Sequence, residues 1–347
     1  MKTPRIKLVH TDTLSCEPIL RRTPEGNLLC ISQCGDITEP APGNRVYSFI
    51  SHDNGETWSK PALVHPEIGE AVYVTEVTVL DGVIYAHLQV HSGRFLNMRC
   101  VVMESRDSGK TWVNAGPPPF FPTFCFIRGM LPLANGELAW PYQHFPLTEE
   151  ENVRLVVSNH NLPVRYQRAI WDANVDHIEN GVIVSADRGK TYQRFTGPKI
   201  PIKGTTGRRW SWTEPTLAQL SDGTIVMLLR VDGSGVLWRS ESKDNGRTWS
   251  EAVKTEIPNP GNKPKLVPIP DGRIALIHTP NPTPGFRNRY PLAVWISDDD
   301  LQSFAEKRVV TEFPGNYCYP DGFFEDGHLL FTIEINRHEI LFVDCEI

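Results

Sequence analysis

The chain has 347 residues, 40% of them hydrophobic and 22% charged, with a formal net charge of -6. That is enough apolar material for one closed domain over 1–347, and the absence of a basic footprint excludes nucleic acid as a partner class. No apolar run nears the roughly 18 residues that span a bilayer, and "MKTPRIKLVH" lacks the apolar centre of a signal peptide, so no membrane partner is expected and the location is read as cytoplasmic, or secreted if a leader has been trimmed away.

In chain order the predicted elements are nearly all strands: "RIKLVH", "VYSFI", "VIYAHLQV", "RCVVME", "TIVMLLR", "GVLWRSE", "RIALIH" and "LAVWIS", each bounded by Gly, Pro or Asp. Nothing longer than a turn reads as helix. "GPPPFFP" at 116–122 reads as a stiff crossing, and 145–180 as an elongated hairpin excursion of the length that carries function or lies over a site.

One octet recurs between these strands. Ser51-His-Asp53-Asn-Gly55-Glu-Thr-Trp58 returns at 105–112, 185–192 and 242–249, and in a worn copy without its glycine at 297–304. It reads as a hairpin turn: Asp accepts hydrogen bonds from amides ahead of it, Gly takes the φ > 0 position, and the aromatic anchors the outgoing strand. The starts fall 54, 80, 57 and 55 residues apart, the period of a four-stranded propeller blade.

A second repeat lies upstream of the octets. "EPILRRTPEG", "EPTLAQLSDG" and "KPKLVPIPDG" place Glu17, Glu214 and Lys263 nine residues before a glycine, and "YVTEVTVLDG", "FIRGMLPLANG" and "YCYPDGFFEDG" are shorter relatives. Six units predict an all-β, six-bladed β-propeller of four-stranded antiparallel blades, with "RIKLVH" completing the last blade and closing the ring. Seven residues past each glycine stand Gln33, Gln89, Gln143, Arg230, Thr279 and Glu334, all polar at the ends of apolar strands. Together with Glu17, Arg128, Glu214, Lys263 and Tyr319 at the starts of the inner strands, they predict a charged concavity at one mouth of the channel.

The octets and the flanking motifs resemble the sialidase (neuraminidase) superfamily of six-bladed propellers, whose octets are called Asp boxes (BNR repeats); the resemblance covers essentially the whole chain. It implies a glycosidase acting on carbohydrate, without a cofactor. "TEPTLAQLSDGTIVMLLR" is similar to the segment holding the catalytic glutamate and one arginine of the carboxylate-binding triad, which implies those roles for Glu214 and Arg230. "RNRYPLAVWISDDD" resembles the segment of another triad arginine, Arg289, with Arg287 as its competitor. "YCYPDGFFEDGHLLFTIE" resembles the ending that carries the nucleophilic tyrosine and the glutamate bracing the triad, here Tyr319 and Glu334, with Tyr317 open as an alternative because the spacing is one residue short. The acid/base carboxylate falls on Glu39 or Asp36.

One position departs from the family. The first triad arginine is replaced by Cys16, a thiol that cannot make the charge-assisted contact a carboxylate needs. Efficient cleavage of sialic acid is therefore not expected, and another terminal sugar, acidic or neutral, is. With a neutral sugar, Glu17 and Glu214 would serve as an ordinary carboxylate pair. Two other classes stay open: a polysaccharide lyase using Tyr319, Lys263 and Arg230 on uronic acids, and a non-catalytic carbohydrate-binding propeller. Seven irregularly spaced cysteines read as reduced buried thiols, and eleven histidines without ligand spacing give no metal site. Trp210 and Trp212, just ahead of Glu214, are expected near the mouth, with Trp212 on the substrate and Gln33 on the same rim.

Overall fold

In the computed structural model, which describes residues 3–66, 69–118, 125–202, 211–311 and 313–347, six antiparallel sheets stand around one axis. Blade 1 runs Ser15–Arg22, Leu28–Cys34, Arg45–Ser51 and Ala62–Leu63 from the axis outward, and blade 2 runs Ala71–Leu80, Val83–His91, Arg99–Ser105 and Val113–Gly116. Blade 6 has Tyr317–Glu325 innermost, then His328–Ile335 and Glu339–Glu346, and takes its outer strand, Arg5–Thr11, from the other end of the chain. The ring is closed as the sequence predicts. Blades 4 and 5 have four strands each, with Thr216–Gln219 and Lys265–Pro268 innermost. Blade 3 has five, because its inner strand is broken into Cys125–Ile127 and Leu131–Pro132, and the break falls on Arg128. Alternating Val, Ile and Leu from facing sheets fill the space between blades, as where Leu29 and Ile31 of blade 1 meet Val77 and Ala86 of blade 2.

Each octet links the third strand of its blade to the outer one. In the first, the Asp53 carboxylate accepts from the Thr57 amide at 2.9 Å, the Thr57 hydroxyl at 2.6 Å and the Ser51 hydroxyl at 2.8 Å. The Gly55 amide in turn donates to Ser51 Oγ at 2.7 Å. Gly55 sits at φ 88, and a Cβ there would meet the Phe342 ring of the neighbouring blade at 2.3 Å, so the glycine is required twice over. The worn copy keeps the same bonds around Asp299, with Leu301 at φ 61 in the glycine's place.

These turns give the fold an acid-sensitive component. Hydrogen bonds from Thr57, Thr191 and Ser303 hold the carboxyls of Asp53, Asp187 and Asp299 down to about 2, from an ordinary 3.8. A depressed carboxyl contributes stability above its unfolded pKa and loses it as pH falls to the folded one, here between about 4 and 2. The thermal midpoint should fall across that window, and the triple replacement Asp53→Ala, Asp187→Ala, Asp299→Ala should be less stable at pH 6 but fall less steeply below pH 4. Parallel slopes for the two proteins would show that the turns do not carry this term.

The excursion from 145 to 180 differs from its prediction as a hairpin. It contains an α-helix, Glu149–Ser158, and two short 3₁₀ turns. Thr148 caps the helix by accepting from the Glu151 amide, three glutamates fill the first turn, and Leu155 is buried against Phe95, Phe126 and Phe145. The Thr148-x-x-Glu151 pattern is a helix-start signal outweighed by the surrounding strand-like texture. No described helix is long and apolar enough to cross a membrane.

Candidate active site

Three inner strands begin with an unusual backbone. Glu17, Glu214 and Tyr319 each precede a proline and each has a positive φ, of 53, 32 and 57. Sterics at Cβ and the following ring both oppose this conformation, which costs on the order of 1–3 kcal/mol per residue. What it achieves is to turn each side chain out of the strand toward the axis. All three line one cavity of about 260 Å³ at one mouth of the channel, with Glu39, Arg230, Asp232, Arg289 and Arg337. Tyr73, Phe95, Trp171, Trp212 and Phe286 add aromatic walls. The octet aspartates are not among its lining residues.

Charge organises the floor. Arg230 donates from Nη1 to Glu214 Oε2 at 2.6 Å and to the Tyr319 hydroxyl at 3.3 Å, and from Nε to Asp232 Oδ1 at 2.8 Å. Beneath them, Arg128 reaches Glu17 at 3.3 Å with Nη1 and Glu214 at 3.7 Å with Nη2, while Tyr73 donates its hydroxyl to Glu17. The two carboxyls thus share a guanidinium yet titrate apart. Burial, then the charge of Glu39, pushes Glu17 up to about 8. Burial acts on Glu214 in the same direction, but Arg230 and Arg128 overcome it and hold it below the carboxylate range. Burial and then the charges of Glu214 and Glu17 raise the Tyr319 phenol well above 10, so it is neutral at physiological pH.

The loop that carries Asp36 and Glu39 is braced by hydrogen bonds of its own. Asp36 accepts from the amides of Ile37 at 2.7 Å and Gly43 at 3.0 Å, closing the loop from below, and lies outside the cavity. Glu39 lines it and is ion-paired with Arg337. Of the paired alternatives, Arg289 is buried and lines the cavity whereas Arg287 is exposed; Tyr319 lines it whereas Tyr317 donates to the Phe313 carbonyl at 3.0 Å within the core.

The ring of polar strand ends is corrected by the geometry. Of those six positions only Arg230 lines the cavity; several of the rest brace the start of the next blade. Gln143 accepts from the Thr213 and Glu214 amides at 3.0 and 2.8 Å, Glu334 accepts from the Glu17 amide at 2.8 Å, and Gln89 donates to the Cys125 carbonyl. Gln33 is buried beside Cys16 in the strand pairing, away from the cavity. Lys263 is also absent from the lining: its ammonium lies 3.8 Å from Asp321, in a buried cluster with Lys265 and Arg21. Arg128 acts from below the floor. Trp210 lies outside the described residues, as does much of the 116–122 crossing.

Sequence reasoning missed Tyr73, Asp232, Arg337, Phe95, Trp171 and Phe286. Tyr73 stands nine residues ahead of Gly82, the register of Glu17 before Gly26, so the same count finds it. Phe95 and Trp171 come from a loop of blade 2 and from the excursion, where no repeat register exists. Among the described residues no group of three or more His, Cys, Asp or Glu is placed to hold a metal ion.

The family model of the BNR repeat-like domain matches residues 72–330, and that of the BNR/Asp-box repeat matches 49–60. No curated protein matches the chain in sequence. Among solved structures, a Dyadobacter fermentans protein of unknown function superposes with a TM-score of 0.71 at 17% identity, over 100% of this chain and 99% of its own. The Hadza microbial sialidase Hz136 gives 0.72 at 16%, over 97% of this chain and 66% of its own. Trypanosoma rangeli sialidase with 2,3-difluorosialic acid, described as a covalent intermediate, gives 0.65 at 16%, over 96% and 54%. The chain thus spans between about half and two thirds of these two sialidases. At such identities the likeness is one of fold.

Proposed function

Because the chain belongs to the BNR repeat-like domain family of the sialidase superfamily, we propose that it is a glycoside hydrolase acting on a terminal acidic sugar of an oligosaccharide or glycoconjugate. The observation that carries this reading is the single guanidinium of Arg230 joining the Glu214 carboxylate and the Tyr319 phenol on the floor of a cavity that Glu39 also lines. A neutral phenol approaches the anomeric carbon of an acidic sugar without the repulsion that a carboxylate nucleophile would meet from the sugar's own carboxylate.

In the proposed reaction the Tyr319 oxygen bonds to the anomeric carbon as its proton passes to Glu214. The glycosidic C–O bond breaks with its electron pair on the leaving oxygen, which takes a proton from Glu39. Water then attacks the same carbon, giving its proton to Glu39, and the tyrosyl oxygen departs and recovers its own from Glu214. Two displacements retain the anomeric configuration. The covalent intermediate described for the Trypanosoma rangeli sialidase supports this route by analogy of fold. Cys16 in place of an arginine supports weak activity on sialosides.

A panel of aryl glycosides of uronic acids, sialic acid and neutral sugars, with product configuration followed by NMR, tests the proposal. Release from an acidic glycoside with retention, and poor release of sialic acid, is expected. An unsaturated product absorbing in the near ultraviolet would instead mean a lyase, and turnover of no substrate a binding module.

A further inference from the structure

We propose that Arg337, from an element no motif points to, is a substrate-binding residue that takes the carboxylate of an acidic sugar. The proposal rests on the reading above for the sugar, not for its cleavage.

Arg337 occupies a position that disfavours it. The second and third strands of blade 6, His328–Ile335 and Glu339–Glu346, are joined by a hairpin in which Asn336 has φ 55 and Arg337 φ 63, and the His338 amide donates to the Ile335 carbonyl at 3.1 Å. Two consecutive left-handed residues make the turn that asparagine followed by glycine fits best. Arginine stands where glycine is favoured, and its guanidinium reaches the cavity rather than solvent alone. Strain of that kind persists where the side chain serves a purpose.

The charges around it are arranged for a further anion. Arg230 is balanced by Glu214 and Asp232. Arg289 is 5% exposed, donates only to Cys318 Sγ at 3.2 Å and the Gly261 carbonyl at 2.6 Å, and leaves Nε without a partner. No carboxylate among the described residues lies within 4.0 Å of it. Its charge meets those of Glu214 and Glu334 only at longer range, so Arg289 lacks the direct counter-charge that buried cations normally have and that a ligand would supply. Arg337 lines the same cavity as Arg289, and its charge acts on Cys16, on Cys318, to which Arg289 donates, and on Glu334, where it offsets the effect of burial. Cys16, fully buried and raised by that burial, is neutral and leaves the anion site to the two guanidiniums.

Within the protein, Arg337 is held by Glu39, whose Oε1 is buried without a partner. A ligand carboxylate that takes Arg337 releases Glu39 from its ion pair, so binding of the correct anion frees the residue proposed to carry the proton.

Equilibrium binding of D-glucuronate, N-acetylneuraminate and D-glucose, measured by ligand-observed NMR on the wild type, Arg337→Gly and Arg337→Lys, tests this. At least one sugar acid should bind the wild type more tightly than glucose. Arg337→Gly should weaken that binding about tenfold to a hundredfold in a protein that stays folded at the temperature of the titration, the relaxed turn offsetting part of the cost of leaving the buried Glu39 carboxylate unpaired, and Arg337→Lys should recover only part, a point charge lacking the fork. Equal acid binding by Arg337→Gly and wild type, or a wild type with no preference for acids, overturns the proposal. Arg337-dependent acid binding in a protein that cleaves no glycoside would keep it and discard the hydrolase. Cleavage confined to neutral glycosides and indifferent to Arg337→Gly would do the reverse.

Discussion

Glu214→Gln is expected to lower kcat on the true substrate by about a hundred- to ten-thousandfold, the usual cost of removing a proton-transfer group, while KM changes little. Glutamine keeps the shape and one acceptor for Arg230 Nη1, now 2.6 Å from the carboxylate, but cannot take a proton. It also removes the negative charge that faces Arg128 and Arg230, both nearly inaccessible to solvent, so a drop in stability on the order of 1–3 kcal/mol accompanies the loss of activity. Circular dichroism and a thermal scan separate the two effects, because that loss leaves the native state populated at 25 °C in a protein of ordinary stability. Arg289→Ala makes the contrast: it removes a proposed ligand contact and no proposed proton carrier, so it should raise KM more than it lowers kcat. A Glu214→Gln protein that folds and turns over at near the wild-type rate would mean that the family's chemistry has been assigned to the wrong carboxylate.

The fold was legible because its signals repeat. Five octets and six inner-strand motifs each carry a local physical reason, and each independent copy strengthens the others. The repeat also conveyed which residues start the inner strands, and hence that Glu17, Glu214 and Tyr319 share one end of the axis. It did not convey that only these three adopt a left-handed backbone among the strand starts considered, since Lys263 also precedes a proline and does not. The periodic polar ends were legible as a ring but not as braces, since whether Gln143 faces a ligand or the Glu214 amide is set by the neighbouring blade. Lys263 shares the register of Glu17 yet turns to Asp321, whose charge wins over the cavity. Arg337 was beyond reach: it belongs to a hairpin tip, the place where a solvated charge is the ordinary expectation, and only the closure of blade 6 beside blade 1 carries it to Glu39.

Tyr319→Phe decides between the two hydrolytic chemistries that the floor can support. If the phenol oxygen is the nucleophile, its removal should lower kcat on the order of a thousandfold or more, while the ring remains under Arg289, 5.9 Å from its centroid, and KM holds. The left-handed backbone before Pro320 accepts phenylalanine as it accepts tyrosine, so folding is not the confounder. The competing chemistry needs no phenol. Glu17, protonated through neutral pH, and Glu214, held ionised, are two carboxyls whose surroundings push them apart, the pattern that assigns an acid and a base. In that case Tyr319→Phe would cost little, and raising the pH through about 8, where Glu17 loses its proton, would switch activity off in both proteins. For the tyrosine route the mass spectrum of the wild type quenched during turnover of a fluorinated glycoside should show one sugar added to the peptide containing Tyr319, absent from Tyr319→Phe. A full-rate Tyr319→Phe enzyme with no adduct would transfer the chemistry to the Glu17 and Glu214 pair, and would make Tyr319 a residue that shapes the cavity through Arg230.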